Sequence, residues 1–323
     1  MSDAQTQHAK VIILGSGPAG CSAAIYAARA NLSPLMFGGI QPGGQLTITT
    51  DVENYPGYAE PVQGPWMMEQ MMEQAKNCGT ELVQEHVVEA DFNKRPYTLK
   101  TDGGNTYTCD VLIIATGAQA KWLGIPSEQK FQGRGVSACA TCDGAFFRNQ
   151  DVAVVGGGNT ALEEALFLAN FCKSVSMIHR RDAFRGEKIL QQRVMKHEKI
   201  NVIWDHEVDE ILGDDAPTGG VHSVRLKSTK DNSVQTIEVT GIFIAIGHKP
   251  NTDVFKDKLT LNDHGYIQVP KGSVTTEIPG VFACGDVIDD VYRQAVTAAG
   301  LGCMAALDAV RYLESLEDAE AAA

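Results

Sequence analysis

Short apolar runs that end in glycine recur along the chain, and two of them pass directly into helical patterns. Residues 11–14 precede the loop GSGPAG and an alanine-rich stretch, while residues 152–155 precede GGGNTA and an apolar run over residues 162–170. A buried strand that enters a helix through closely spaced glycines presents backbone N–H groups to a pyrophosphate. The pattern predicts two dinucleotide-binding units; the alternative is two such units of which only one holds a nucleotide.

Two further apolar runs, residues 111–114 and 242–246, also end in glycine and bracket the second glycine loop. This arrangement predicts that residues 120–247 are inserted into a discontinuous domain made of residues 1–119 and 248–323. The expected fold is α/β, with two Rossmann-like, three-layer dinucleotide-binding domains.

The C-terminal segment is expected to complete the discontinuous domain. An apolar helical pattern near residues 293–313 predicts a last helix that packs on this domain. The Ala-Glu-rich tail after Leu316 is expected to be disordered.

Basic residues follow the second glycine loop where an acidic residue is usual. The strand at residues 175–178 ends in His179, Arg180 and Arg181, and Arg185 follows. Planar, permanently charged guanidinium groups suit a 2′-phosphate, so this unit is expected to bind NADPH. A solvated basic surface is the alternative, because basic residues continue along an apparent helix.

The first glycine loop also lacks the acidic residue that normally binds the ribose, since no Asp or Glu occurs until Asp51. Its fingerprint alone does not identify the nucleotide. Residues 281–286 are typical of a short buried strand ending in Gly285 and Asp286, where a carboxylate could accept a hydrogen bond from a polyol such as ribitol. Taken alone, this Gly-Asp pair is also compatible with a simple turn.

One cysteine pair, Cys139 and Cys142, has the spacing of a redox-active CxxC motif. Zinc is the main alternative, but a structural zinc site needs four ligands and no second CxxC occurs. Inert buried cysteines are a further alternative. Asp143 is a candidate general acid for a leaving thiolate, or else a turn residue before Gly144. The six other cysteines are expected to be small core residues; Cys284, beside Gly285, is the one closest in sequence to a predicted site.

Composition narrows the class of protein. The 323 residues carry a formal charge of −13, which argues against nonspecific nucleic-acid binding. Hydrophobic residues make up 44% and charged residues 21%, and no uninterrupted apolar run reaches membrane-spanning length, so no transmembrane helix is expected. The N-terminal residues have no signal-peptide pattern, and a cytoplasmic location is expected.

These motifs together resemble the low-molecular-weight bacterial thioredoxin reductases. The resemblance extends in order over nearly the whole chain. It rests on the first glycine loop, GGQL at residues 43–46, ENYPG at residues 53–57, CATCDG at residues 139–144, the second glycine loop, residues 179–185, Gly285-Asp286, and YRQA at residues 292–295.

The resemblance implies FAD in the discontinuous domain, NADPH in the insert, no metal, a homodimer, and thioredoxin as the partner. The family also lacks an acidic ribose ligand after the first glycine loop. The implied FAD contacts are Ser16, Gly17, Pro18, Ala19, Gly39, Gln41, Gly43, Gly44, Gln45, Leu46, Asn54, Val87, Gly117, Asp286, Arg293, Gln294, Ala295 and Val296. The implied NADPH contacts are Gly158, Asn159, Thr160, His179, Arg180, Arg181, Arg185, Ile246 and Tyr266.

The resemblance also implies a reaction sequence. NADPH reduces FAD, the flavin reduces the Cys139–Cys142 disulfide through Cys142, and Cys139 attacks the thioredoxin disulfide. The disulfide and NADPH belong to the same insert, yet each must reach the flavin. We therefore expect the insert to rotate about the two chain crossings near residues 119 and 247.

Several alternatives belong to the same superfamily. A peroxiredoxin-linked reductase is expected to carry an additional thioredoxin-like domain, and a ferredoxin-NADP reductase lacks the CxxC. A dithiol oxidase, or a reductase of small disulfides, stays open. A nucleotide-sensing module whose cysteines only staple a loop is a rival from another class.

Overall fold

The chain folds into two compact units. Unit 1 comprises residues 1–119 and 249–323, and unit 2 comprises residues 120–248. The computed structural model describes residues 6–49, 51–216 and 219–321. Which nucleotide each unit binds stays a prediction at this point.

Strands are numbered in chain order. They are β1 (Thr6–Leu14), β2 (Leu35–Phe37), β3 (Asp51–Val52), β4 (Val62–Gln63), β5 (Glu81–Val83), β6 (Val87–Asp91), β7 (Tyr97–Thr101), β8 (Thr106–Ile114), β9 (Ala118–Ala120), β10 (Val136–Ser137), β11 (Asp151–Val155), β12 (Ser174–His179), β13 (Ile200–Trp204), β14 (His206–Gly213), β15 (Val221–Ser228), β16 (Val234–Glu238), β17 (Gly241–Ile244), β18 (His248–Pro250) and β19 (Val281–Ala283).

The helices are numbered in the same way. They are α1 (Pro18–Arg29), α2 (Gly64–Asn77), α3 (Pro126–Lys130), α4 (Ala140–Asp143), α5 (Asn159–Ala169), α6 (Lys188–Lys196) and α7 (Ala295–Ala321). Short 3-10 helices occupy Gly44–Ile48, Gly144–Phe147, Asp253–Phe255 and Gly285–Val287.

Unit 1 is built on a sheet in the order β5-β2-β1-β8-β7-β6, with β19 also paired to β8. Strands β5, β2, β1, β8 and β19 are parallel, whereas β7 and β6 extend the sheet as an antiparallel meander. The apolar run of β1 is buried, with Val11 fully inaccessible and Leu14 3% exposed. Burial on both faces explains why such strands are apolar throughout rather than alternating.

Unit 2 is built on a parallel five-stranded sheet in the order β10-β17-β11-β12-β13. Its second sheet is antiparallel, in the order β14-β15-β16. Helix α5 packs its apolar face, Ala161, Leu162, Ala165 and Leu168, into the core on one side of the parallel sheet. Parallel strands linked through helices in both units confirm the predicted α/β class.

The first glycine loop of unit 1 is closed by the last helix. Gly302 of α7 lies so near the first turn of α1 that a Cβ there would be 2.0 Å from the carbonyl oxygen of Ala19. Gly285, with φ of 76°, would bring a Cβ to 2.8 Å from Ala19 Cβ. Glycine is therefore required at both contacts, and the predicted packing of the last helix is confirmed.

The expectation that the tail after Leu316 is disordered is wrong up to Ala321, where α7 ends. Alanine, leucine and glutamate are strong helix formers, and extending an existing helix needs no new nucleation. Composition of this kind therefore lengthens the helix.

Helix α7 also bears on the expectation that no transmembrane helix is present. Among the described residues one helix, over Ala295–Ala319, is long and apolar enough to cross a membrane, by length and composition only. Uninterrupted apolar runs did not reveal it because Thr297, Asp308 and Arg311 interrupt its apolar residues. We interpret it as a core helix, because Ala305, Ala306 and Ala309 are fully buried in the core of unit 1.

Candidate functional site

Cys139 and Cys142 form a disulfide in unit 2, with their Cα atoms 5.3 Å apart. Cys139 precedes α4, and the backbone N–H of Cys142 donates a hydrogen bond to Cys139 Sγ over 3.2 Å. Both residues are partly exposed. After reduction the same N–H would stabilise a thiolate at Cys139, which is the reactive form of a cysteine. Among the residues that the structure describes, no group of three or more His, Cys, Asp or Glu side chains is placed to hold a metal ion.

Asp143 is the last residue of α4 and directly follows the disulfide. Its carboxylate oxygen Oδ2 accepts a hydrogen bond from Ser137 Oγ over 2.6 Å. Burial raises the pKa of Asp143, and the Ser137 hydrogen bond opposes that rise by stabilising the ionised form. A carboxyl whose pKa lies above its usual range is better suited to deliver a proton near neutral pH.

The second glycine loop leaves an opening at the start of α5. Gly158 is the extended residue before the helix, no side chain caps it, and no atom of the described chain lies within 4 Å of a Cβ placed there. Gly156 is enclosed, because its Cβ would be 2.4 Å from the carbonyl oxygen of Ala245. Free N–H groups at an open helix N-terminus fit a pyrophosphate. Asn159 Oδ1 accepts from Glu187 N over 2.7 Å, and Thr160 lies in the first turn.

The predicted basic cluster begins where β12 ends, beside the end of β11. His179 is 5% exposed, and its Nε2 lies 3.0 Å from the carbonyl oxygen of Ala183. Burial lowers the pKa of His179; the hydrogen bond to the carbonyl oxygen of Ala183 opposes that effect, and the neighbouring arginines add to it. Arg180, Arg181 and Arg185 are exposed, and none of them makes an ion pair within the described residues.

Two loops of unit 2 fix the backbone of this basic cluster. Thr229 Oγ1 lies within donating distance of two carbonyl oxygens, that of Asp205 at 3.1 Å and that of Arg180 at 3.3 Å. Asp205 N donates to the carbonyl oxygen of Arg181 over 3.3 Å. Lys230 Nζ lies 2.7 Å from Asp205 Oδ2, which ties the two loops together. The guanidinium groups therefore extend from an anchored backbone.

Two weaker predictions for the same nucleotide lie in different units. Ile246 belongs to unit 2 and is 38% exposed. Tyr266 belongs to unit 1, where it is 4% exposed and its N–H donates to Asn262 Oδ1. Their contact with a nucleotide stays a prediction.

In unit 1, Ser16 joins the first glycine loop to the loop that follows β2. Its hydroxyl donates to the carbonyl oxygen of Gly38 over 3.4 Å and accepts from Gly43 N over 2.8 Å. Gly43 and Gly44 have φ of 87° and 67°, and a Cβ on Gly44 would lie 3.5 Å from Gly17 Cα. The structure thus brings the predicted residues of the two loops together.

The other predicted residues of the loop after β2 lie on either side of the contact between Ser16 and Gly43. Gln41 Nε2 donates to Gly44 O and to Thr47 Oγ1, each over 3.0 Å. Gln45 and Leu46 lie in the 3-10 helix that follows. Pro18 and Ala19 begin α1, whose N-terminus has no side-chain cap, as at the second glycine loop.

Asp286 lies in the 3-10 helix that abuts the start of α1. Its Oδ1 is buried and has no hydrogen-bond partner within the described chain. Burial and the nearby Asp289 raise the pKa of Asp286 to about 7, although Arg293 acts in the opposite direction. A buried acceptor of this kind needs a donor, and a ligand hydroxyl would supply one. The polyol contact predicted from the sequence fits this atom.

The other predicted contacts of unit 1 are distributed around these loops. Asn54 Nδ2 donates to Gln294 Oε1 over 3.4 Å, just before Ala295 and Val296 begin α7. Arg293 adopts a left-handed φ of 50°, and its N–H donates to Asp289 Oδ2 over 3.0 Å. Left-handed backbone in a residue with a side chain is often found at functional sites.

Three further predicted contacts lie at strand ends. Val87 begins β6 and is 6% exposed. Gly39 follows β2 with φ of 67°, and a Cβ there would contact only His86 Nδ1, at 3.9 Å. Gly117 follows β8 with φ of 68° and open space around it. Positive φ explains why glycine stands at both of these positions.

Sequence analysis missed Ser137, Thr229 and Lys230. Ser137 contacts Asp143 across a turn, and Thr229 contacts Arg180 although 49 positions separate them. The only available signal was that Ser137 lies two residues before Cys139, the first residue of the CxxC segment. Nothing in the sequence marks the other two.

Comparisons with known proteins extend this picture. Residues 9–302 match the family model of the pyridine nucleotide-disulphide oxidoreductases. A thioredoxin reductase of Rickettsia conorii is 59% identical over 304 residues, covering 94% of this chain and 98% of that protein. A glucosaminate ammonia-lyase of Pseudomonas fluorescens is 55% identical over 322 residues, covering 98% and 99%. The solved structure of a thioredoxin reductase from Giardia duodenalis matches with a TM-score of 0.91 at 42% identity, covering 95% of this chain and 99% of that one. The chain therefore belongs to the pyridine nucleotide-disulphide oxidoreductase family.

Proposed function

We propose that the protein is an NADPH-dependent thioredoxin reductase that uses FAD. The observation that carries this proposal is the Cys139–Cys142 disulfide, which lies in the same unit as the second glycine loop. A partly exposed disulfide within a unit predicted to bind a nucleotide suits electron transfer from a pyridine nucleotide to a protein disulfide. Relatives and solved structures with the name thioredoxin reductase support it.

FAD fits unit 1. The uncapped start of α1 and the positive-φ glycines of the following loop suit its pyrophosphate, and the unpartnered Asp286 oxygen suits a ribityl hydroxyl. Ser16 holds the two loops in register. The remaining predicted contacts stay part of this proposal.

NADPH fits unit 2. The open Gly158 cradle suits the pyrophosphate, and the exposed guanidinium groups of Arg180, Arg181 and Arg185 suit the 2′-phosphate. The buried ring of His179 supports the glycine loop by packing against Gly157.

When bound, the nicotinamide and flavin supply the hydride and electron transfer. The chain's own cysteines then exchange with thioredoxin: Cys139 attacks the partner disulfide as a thiolate, and Cys142 resolves the mixed disulfide. Asp143 gives and receives the protons of the sulfur atoms.

The proposed reaction requires the two units to move relative to each other. The dithiol and the NADPH residues belong to unit 2, whereas the flavin residues belong to unit 1. We expect unit 2 to rotate about its two chain connections, at residues 119–120 and 248–249, between half-reactions. A short cross-link that joins the units covalently should stop turnover, and full turnover in the cross-linked protein would contradict the rotation.

The assembly and location that we propose are a cytoplasmic homodimer that binds neither membrane nor nucleic acid. Exposed apolar residues on α1 and α7, namely Tyr26 at 43%, Met304 at 38% and Leu307 at 42%, support a subunit interface. Light scattering of the purified protein measures the oligomeric state.

Ammonia-lyase activity is a second candidate because one relative carries that name at similar identity. An ammonia elimination transfers no net electrons, so it gives no role to the Cys139–Cys142 disulfide. A dithiol oxidase or a small-disulfide reductase would use the pair, but with a different partner.

The deciding experiment follows NADPH oxidation with oxidised thioredoxin, with a small disulfide, and with neither. We expect turnover that requires thioredoxin. In Cys142→Ser, NADPH should still bleach the flavin absorbance while thioredoxin reduction is abolished. A colourless protein, thioredoxin-independent turnover, or ammonia release from glucosaminate without NADPH would each overturn the proposal.

A further inference from the structure

Ser137 occupies the end of β10 and is 7% exposed. Its Oγ lies 2.6 Å from Asp143 Oδ2, 3.0 Å from Cys139 N and 3.4 Å from the carbonyl oxygen of Cys139. We infer that Ser137 is a positioning residue that holds the Asp143 carboxyl beside the disulfide in both protonation states of that carboxyl. This inference rests on the proposed function, in which Asp143 exchanges protons with the cysteines.

A hydroxyl has one donor site and two acceptor sites, and the three polar partners of Ser137 use all three of them in one protonation state of Asp143 or the other. The N–H of Cys139 occupies one acceptor site in either state. When Asp143 is ionised, the Ser137 hydroxyl donates to the carboxylate. When Asp143 is protonated, its O–H donates to the second acceptor site of Ser137. The Ser137 proton then turns to the Cys139 carbonyl oxygen, so no buried polar group is left unpaired.

The surroundings of Asp143 leave Ser137 as its main polar partner. Two elements next to α4 bring titratable side chains near Asp143. Helix α5 packs against α4 and carries Glu163 and Glu164, and Arg148 follows the end of the 3-10 helix after α4. Strand β17, which pairs with β10, has no titratable side chain. Burial raises the pKa of Asp143, and the hydrogen bond from Ser137 lowers it.

Each turnover requires the carboxyl to lose and regain a proton. Cys139 thiolate attacks the substrate disulfide, and the released substrate sulfur takes the proton of Asp143. Cys142 then attacks the mixed disulfide, its S–H proton passes to the ionised Asp143, and the second substrate sulfur leaves as a thiolate that takes its proton from solvent. The enzyme dithiol becomes a disulfide and the substrate disulfide becomes a dithiol, with electrons supplied by NADPH in the next cycle. A residue that satisfies both forms of Asp143 keeps it in place throughout.

The test compares Ser137→Ala with Ser137→Thr, which keeps the hydroxyl, and with Ser176→Ala as a matched control from β12. We expect Ser137→Ala to lower kcat for thioredoxin about tenfold. The loss of activity at high pH should move to higher pH, because the ionised carboxylate loses its donor. Flavin reduction by NADPH should be unchanged, and Ser137→Thr should restore both readouts.

Rates are normalised to the amount of bound flavin. Partial unfolding then lowers kcat by the same factor at every pH, and it does not shift the pH at which activity is lost on the alkaline side. An unshifted limb in Ser137→Ala, or Ser137→Thr behaving like Ser137→Ala, would overturn the inference. Failure of the proposed function looks different, because the unmodified protein would then not reduce thioredoxin, or Asp143→Asn would leave the pH profile unchanged.

Discussion

Gly157 and His179 are in direct contact across the ends of β11 and β12. A Cβ on Gly157 would lie 2.3 Å from His179 Cε1, well inside any possible contact distance. The adjacent Gly158 has no neighbour within 4 Å of its Cβ. One glycine of the loop is therefore required by the fold, whereas the fold leaves space for a side chain at the next.

Alanine substitutions at these two glycines should have different effects. Gly157→Ala should destabilise unit 2 by about 2 kcal/mol, because the histidine ring cannot move without disturbing a packed core. Gly158→Ala should fold normally but raise the KM for NADPH at least about tenfold by filling the pyrophosphate cradle. Thermal melts and steady-state kinetics check both. Equal melting temperatures would contradict the contact.

Removing the guanidinium groups should change cofactor selectivity. Arg180→Ala with Arg181→Ala should raise the KM for NADPH about 100-fold, since each charge-assisted hydrogen bond contributes about 1.5–3 kcal/mol. NADH has no 2′-phosphate, so its KM should be almost unchanged. Arg193→Ala, on the exposed side of α6, controls for net charge. If both cofactors lose affinity equally, the phosphate assignment is wrong.

Thr229 should influence the same selectivity through the backbone of Arg180. Thr229→Val removes the hydrogen bond to that carbonyl and should raise the KM for NADPH about threefold to tenfold, with kcat unchanged. Thr236→Val, an exposed threonine on β16, is the matched control. Unaltered NADPH kinetics in Thr229→Val would show that the arginine segment holds its position alone.

Flavin removal should reveal the titration of Asp286. Its folded pKa, about 7, is above the ordinary value of 3.8, so the folded apoprotein binds a proton more tightly than the unfolded chain. Stability of the apoprotein should therefore fall as pH rises from about 4 to 7, by about 3 kcal/mol.

Asp286→Asn keeps the size of the side chain and cannot ionise, so its apoprotein should lose most of this pH dependence. Denaturant titrations at several pH values measure both forms. A wild-type apoprotein equally stable across that range would exclude a buried, unpartnered carboxyl at this position.

Local sequence accounts for much of the fold and of the site. The two glycine loops and the CxxC pair were predictable because each acts through neighbours a few positions away. The residues that support them were not: Thr229 follows β15 and Arg180 follows β12, so they meet only after the two sheets of unit 2 come together. The resemblance to bacterial thioredoxin reductases is confirmed by the comparisons.

At the C-terminal helix the sequence led to a wrong prediction, namely disorder where the structure has a helix. Residues after Leu316 have a polar composition that is common in disordered tails, yet they continue α7 to Ala321. Composition alone was misleading because the preceding helix had already been nucleated.

The contact between Gly302 and Ala19 joins α7, which is synthesised late, to α1, which is synthesised early. Helix α1 leaves the ribosome early, all of unit 2 follows, and α7 comes last. Unit 2 is therefore available to fold as a continuous segment while unit 1 still lacks the helix that covers its glycine loop. Folding during synthesis thus proceeds from the inserted unit outward, and unit 1 closes only after α7 has been made.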